Sequence, residues 1–229
     1  MSARHQSTTA RGAGSGQSRK PGRPPAGESP VDDAELLELA LRSFAERGFE
    51  GTSVRDLCRQ LGVSHNLIHQ RFGSKDDLWY AAVDHGFETL TYQMMEAVLA
   101  VGDGDDLDRL RAVLVRFVEM TAASPALVQV INQEGVRPGP RLDHIYKRHI
   151  GPALRLVQDM LNRLAANGRV RNVSLTVFYF LMANGATGPL TLPALAARLP
   201  DAPASKRKVD LRRYAESVVD IIFDGIVIN

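Results

Sequence analysis

His65 and His69 stand four residues apart, and on a helix that spacing turns two imidazoles to one side, where they can chelate a metal ion. No third ligand accompanies them in the neighbouring sequence, so the pair alone does not argue for a metal. Asp143, His144 and His149 supply acid and base groups. Their spacing does not bring all three to one face of a helix, and neither a nucleophile nor a phosphate loop accompanies them. Solvated or pocket-lining positions suit them better than catalysis. Cys58, the single cysteine, falls on an apolar stripe and reads as a packing residue, with redox sensing as the alternative. The chain is therefore not expected to be an enzyme, and no catalytic residue, metal or cofactor is assigned.

The charge distribution points to a different chemistry. The 229 residues carry a net charge of +2, with 44% hydrophobic and 24% charged residues, ordinary for a globular chain able to bury a core. Residues 1–30 hold Arg4, Arg11, Arg19, Lys20 and Arg23 against Glu28, a local net charge of +4, so the remainder is mildly acidic. A cationic tail on such a body suits a polyanionic partner, the alternative being a solvated leader without a role. The tail is rich in Gly, Ser, Pro and Gln and poor in large apolar side chains, a composition expected to be disordered. One cysteine excludes an internal disulfide, which fits a reducing cytosol. No run of 18 apolar residues and no secretory h-region is present, so a cytoplasmic protein with no membrane partner is expected.

From Asp32 onward the apolar period is that of helices. Leu37, Ala40, Leu41, Phe44 and Ala45 form one face, with a capping-box-like start at Asp32 and Glu35 and a stop at Gly48. Ser53 caps a short helix with Val54, Leu57, Cys58 and Leu61 inward. Gly62 suits a left-handed turn, and Val63 plugs it. Ser64 caps a third helix, to about Phe72, with Ile68 and Phe72 as its buried pair. After Gly73, Ser74 with Asp77 opens a long helix from Lys75 to about Val101. Further helices are expected over 106–123, from Pro125 to near Gly135, over 141–167 with a bend near Gly151-Pro152, from Ser174 through Ala183, and over 209–225. The proline-rich stretch 189–208 reads as a loop with a turn of helix. Val173 to Met182 has strand-like composition, yet no other segment would pair with it, so helix is preferred.

Residues 53–72 thus have the spacing of a helix-turn-helix, whose second helix can lie in the DNA major groove. Over residues 36–79 the likeness is more specific. Phe44 to Leu57 (FAERGFEGTSVRDL), Gly62 to Ser64 (GVS) and Arg71 to Leu78 (RFGSKDDL) closely resemble the N-terminal domain of the TetR family of bacterial repressors. The remaining 150 or so residues resemble it only in plan. The resemblance implies an all-α protein: an N-terminal three-helix helix-turn-helix domain (31–76) after the basic arm (1–30), and a helical ligand-binding and dimerisation domain (77–229).

It also implies roles. Thr52, Ser53 and Arg55, and Lys75 at a helix N-terminus, would contact phosphate. Ser64, His65, Asn66, Leu67, His69, Gln70 and Arg71 would face the groove. Arg71 would bridge a guanine or hold phosphate, Asn66 and Gln70 would read adenine, and Leu67 would touch a thymine methyl or else join the core. Where the family often has Lys-Gly-Thr-Leu-Tyr-His-His, this chain has His65-Asn66-Leu67-Ile68-His69-Gln70-Arg71, which implies a different operator. His69 stands where a phosphate-contacting Tyr is frequent. In the arm, Arg19, Lys20 and Arg23 flank a Gly-Arg-Pro core like that of an AT-hook, which reaches into the minor groove.

The segment from Leu175 to Ala183 is apolar nearly all round, and the last helix carries a wide apolar stripe, so both need cover. Leu175, Leu181, Tyr214, Val218, Ile221 and Ile222 are the residues expected to pair with a symmetry mate in a four-helix homodimer, the alternative being intrachain core alone. The resemblance places a sensing pocket among the middle helices, with Met94, Met95, Phe117, Met120, Thr121, Gln133, Glu134, His149, Phe178 and Met182 as candidates; Glu134 or His149 would be the polar anchor. The expected function is a sequence-specific regulator of double-stranded DNA, a repressor released from a palindromic operator by a small apolar or amphipathic effector. The competing reading is a constitutive or nucleoid-like DNA-binding protein with no effector. Deleting residues 1–28 is expected to lower DNA affinity and to flatten the plot of log affinity against log salt by several counterions; an unchanged slope removes the arm from the interface.

Overall fold

The computed structural model describes residues 32–199 and 208–228; the expected disordered arm, 1–30, lies outside them. The order of elements is α1 (Asp33–Gly51), α2 (Val54–Leu61), α3 (His65–Phe72), α4 (Lys75–Ala100), α5 (Asp106–Ala123), α6 (Ala126–Glu134), α7 (Pro140–Ile145), a π turn (Tyr146–Ile150) and α8 (Gly151–Ala166). Then follow α9 (Leu175–Phe180), a second π turn (Leu181–Ala186), the short α10 (Gly188–Thr191) and α11 (Pro193–Ala196), and α12 (Lys208–Ile226). Among the described residues there is no strand, only an isolated antiparallel bridge between Val170 and Val227. Of the stretch from Val173 to Met182, Leu175 onward is helical and Val173 and Ser174 precede the helix, so none of it forms a strand. No single helix among the described residues is long and apolar enough to cross a membrane.

Local side-chain chemistry sets the starts of α2, α3, α4 and α5. The Ser53 and Ser64 hydroxyls accept the backbone N–H groups of Asp56 and Leu67, satisfying donors that a helix start leaves unpaired. Ser74 and Asp77 form a reciprocal capping box, and Asp105 with Asp108 forms another that starts α5. The start of α1 differs from expectation: Asp32 stands at the cap position, yet its side chain caps nothing. Gly48 does interrupt α1, at φ +70°, and Gly62 makes the turn between α2 and α3 at φ +66°, backbone shapes that a Cβ disfavours.

The bend expected near Gly151-Pro152 is absorbed by the first π turn. Pro152 has no N–H and its ring crowds the carbonyl four residues back, so an α-helical register fails there. The backbone widens instead, and the Gly151 N–H bonds to the Tyr146 carbonyl, five residues earlier.

Two apolar cores result. In the first, Leu36, Ala40, Leu41 and Phe44 of α1 meet Leu57 and Cys58 of α2, Ile68 of α3, and Leu78, Trp79, Ala82, Val83 and Phe87 of α4. Leu127 and Val130 of α6 and Ile145 of α7 complete it, so the support of α2 and α3 draws on helices well beyond residue 76. The second core joins Leu110, Leu114 and Val118 of α5, Leu161 and Leu164 of α8, Phe178, Met182, and Ala215, Val219 and Ile222 of α12. Cys58 is buried in the first core, and burial pushes its thiol pKa up, which favours packing over redox sensing.

The junction of α1 and α2 is fastened by Thr52. It is 3% exposed. Its hydroxyl donates toward the Ser43 carbonyl at 3.0 Å and the Gly48 carbonyl at 2.8 Å. Thr52→Val keeps the shape and removes the donor. A loss of about 1–2 kcal/mol in denaturant unfolding, with the m-value unchanged, is expected; Thr52→Ser should retain more stability than Thr52→Val, and equal stability of the wild type and Thr52→Val would dispose of the clamp.

Candidate nucleic-acid interface and sensing cavity

The outer face of α3 is a row of polar side chains on a buried spine. Ile68 is 2% exposed and packs in the first core. Phe72 packs partly against that core. His65, Asn66, His69 and Gln70 are exposed, and the His65 and His69 rings lie 4.9 Å apart. Leu67 is half-buried, so it stands between the two readings offered for it. Arg71 is exposed and ion-paired at 2.6 Å with Asp33 of α1. The face thus offers imidazole, carboxamide and guanidinium groups on a helix whose inner side is locked.

Around this row lie the residues expected at phosphate. Ser53 and Ser64 use their oxygens to accept helix N–H groups, which leaves each O–H able to donate outward. Arg55 is exposed. The Lys75 Nζ donates to the Glu50 carbonyl at 3.3 Å and sits 4.5 Å from the Phe49 ring centroid, which holds the ammonium beside the start of α4. Thr52 is a correction: buried and committed to two carbonyls, it has no hydroxyl to offer a phosphate. Arg19, Lys20 and Arg23 lie outside the described residues.

A cavity of about 160 Å³ opens among α4, α5, α6, α8 and α9. Met94, Phe117, His149, Phe178 and Met182, all expected there, line it. Leu90, Thr91, Asn132 and Tyr179 line it too, and Thr91, Asn132 and Tyr179 add polar groups that the sequence pattern did not single out. Burial pushes the Tyr179 hydroxyl pKa up, so it stays a neutral donor. The other candidates stand elsewhere. Met95 is exposed on α4. Met120 and Thr121 border a separate cleft against α1. The Gln133 amide donates to the Ala45 carbonyl at 2.6 Å, which ties α6 to α1. Glu134 is paired with Arg141 at 2.9 Å, so it is not the polar anchor of the cavity.

His149 at the cavity edge belongs to a polar knot. Its Nε2 lies 2.6 Å from Asp84 Oδ1, and His144 Nε2 lies 2.7 Å from the same oxygen. Arg148 Nε stands 3.2 Å from Asp84 Oδ2. The π turn makes this possible, because in its wider winding residues five apart fall on one side. Burial raises the Asp84 pKa, but the hydrogen bonds from His149 and His144 and the charges of His144 and Arg148 outweigh it, and the carboxyl titrates below its ordinary range. Asp143, grouped with these histidines by sequence, pairs with Lys147 instead. Asp84 lies some sixty residues from either histidine, and nothing in its local sequence marks it.

Near the end of the chain, Val177, Phe180 and Leu181 are exposed, and so is Ile221 of α12 at 71%. Leu175, Tyr214 and Val218 are half-buried, and the Tyr214 O–H donates to the Ala186 carbonyl at 2.7 Å. Ile222 is 5% exposed in the second core, so within the expected dimer set it belongs to the chain's own interior.

Residues 36–82 match the family of bacterial regulatory proteins described as the tetR family. An uncharacterized HTH-type transcriptional regulator, YezE of Bacillus subtilis, is 37% identical over 71 residues, which cover 31% of this chain and 37% of that protein. The chain thus spans well under half the length of curated relatives matched at this level of identity. The HTH-type transcriptional regulator BetI of Brucella melitensis is 26% identical over 182 residues, 76% of this chain and 90% of that one. The solved structure of AibR, in complex with isovaleryl coenzyme A and operator DNA, superposes with a TM-score of 0.64 at 18% identity, covering 82% of this chain and 96% of that one, a likeness of fold. The N-terminal helices, residues 36–82, are thus those of the tetR family of bacterial regulatory proteins, and the rest of the chain is similar to its members in fold.

Proposed function

We propose that the protein is a homodimeric transcriptional regulator that binds a palindromic DNA site through α3 and leaves it when a small apolar or amphipathic effector enters the cavity. The observation that carries the reading is the outward row His65, Asn66, His69 and Gln70 on a helix anchored by Ile68. Such a helix fits the major groove, and its side chains match base-edge donors and acceptors. Ser53, Arg55, Ser64 and Lys75 flank it as phosphate partners. The exposed Val177, Phe180, Leu181 and Ile221, with the half-buried Leu175, Tyr214 and Val218, are apolar surface suited to a second copy of the chain. Two-fold pairing would hold the reading helices roughly 34 Å or more apart.

The effector reading rests on continuity of packing. Phe87, Leu90, Leu127, Ile131 and Ile150 belong at once to the cavity wall and to the first core or its margin, which supports α3. A ligand that parts these residues favours a different placement of the reading heads. The crystal of AibR with both an acyl coenzyme A and operator DNA supports the same division of labour. A second reading, constitutive DNA binding, is favoured by the cavity's size: about 160 Å³ falls below the roughly 300–1,000 Å³ of most ligand pockets.

Selection from random duplexes should enrich a two-fold symmetric sequence; no enrichment at moderate salt would end the proposal. On the selected site, Asn66→Ala should lose about 1–3 kcal/mol and relax preference at one base position, whereas Lys75→Ala should weaken all duplexes alike and lower the salt slope by about one. Met94→Trp, which fills the cavity, should keep operator affinity while saturable binding of an apolar naphthalene-sulfonate fluorophore disappears. Wild-type protein that binds operator and never takes up the fluorophore would favour the constitutive reading.

A further inference from the structure

We propose that Asp84, His144 and His149 form a binding site for a divalent transition-metal ion, bridging α4 to α7 and the first π turn at the rim of the cavity. Three potential ligand atoms, the two Nε2 atoms and a carboxylate oxygen, lie within 4.8 Å of one another. Two imidazoles and a carboxylate are the donor set that zinc, cobalt, nickel and ferrous ions accept, and three protein ligands leave coordination positions open. Both imidazoles aim Nε2 at the same carboxylate oxygen. A metal–nitrogen distance of about 2.0–2.1 Å sets ligand atoms roughly 3.4 Å apart around a tetrahedral ion. The two nitrogen–oxygen contacts, now 2.6 and 2.7 Å, need to widen by less than one ångström to reach that spacing, and the two nitrogens lie within 4.8 Å of each other.

The surroundings give the site an entrance and a hold. His144 borders an open pocket with Tyr80, Pro140 and Lys147, a route from solvent. His149 is stacked on Phe87, with ring centroids 4.3 Å apart and planes 2° from parallel, which fixes the imidazole plane. The opposing feature is Arg148, whose guanidinium competes for Asp84. Its side chain is 59% exposed, so it is free to swing into solvent when a cation arrives. The bland alternative is a hydrogen-bonded knot in which the carboxylate merely ties the two histidines to α4.

Arg148 separates the two readings. In full-length protein titrated with zinc or cobalt ions and followed by calorimetry and by the visible absorption of bound cobalt, one equivalent should bind. His144→Gln and His149→Gln should each weaken binding by more than the roughly 10–100-fold typical of losing an outer partner of a metal ligand. Arg148→Gln should tighten it several-fold, an effect a knot without a metal would not produce. Zinc should also raise the melting temperature of the wild type and not of the His149→Gln variant. His65→Gln/His69→Gln should bind as the wild type does. The proposal is overturned by absence of binding to the wild type, by affinity unchanged in both single histidine variants, or by loss of binding in the α3 double variant instead.

Discussion

An eight-residue helix has almost no stability of its own in water, because nucleation fixes several dihedral angles before hydrogen bonding returns the free energy. Everything ascribed to α3 therefore depends on its inner face. Ile68, 2% exposed, is the spine, and it meets a core assembled from five other helices. Only with that side fixed does the outer row become a surface of defined shape, since side chains on a fraying helix would sample many orientations and discriminate poorly among bases.

The same core gives the molecule its unity. Trp79 and Val83 of α4 are buried beside Leu36 and Phe44 of α1, and Leu127 of α6 comes in from the other side. Gly86 permits this approach: a Cβ there would stand 2.9 Å from the Leu41 side chain and 3.4 Å from that of Leu127. Helices α1, α4 and α6 consequently pack as one layer, and the residues shared by the cavity wall and the first core lie within it.

What the sequence made legible was local in origin. Caps at Ser53, Ser64 and Ser74 and the left-handed turn at Gly62 arise from interactions within four residues, and each stands as read. Failures arose where distance or winding intervened. Thr52 sits among residues that suggest phosphate contact, yet its hydroxyl turns inward to carbonyls of the preceding helix. Ile221 and Ile222 are indistinguishable by composition, but one step along a helix is a turn of about 100°, and only the first faces out. Glu134 looked available until Arg141 came round to it, and the meeting of Asp84 with two histidines required tertiary packing and a departure from the 3.6-residue period together. The cavity half of the molecule was legible as a set of helices and only partly as a set of walls, since Met94 and Met95 are neighbours with opposite fates.

The π turn between α7 and α8 also records something about how such a chain can vary. A single inserted residue in an α-helix can be taken up by one wide turn, which leaves the hydrogen-bonded rod continuous and everything downstream in its former angular register; without the wide turn it would all rotate by about 100°. The wide turn at Tyr146–Ile150 lets Leu161 and Leu164 face the second core, whereas winding the same residues at regular pitch would swing both away from it. The π turn thus works as a phase corrector, holding a residue that a regular helix could take up only by turning its far end off the core.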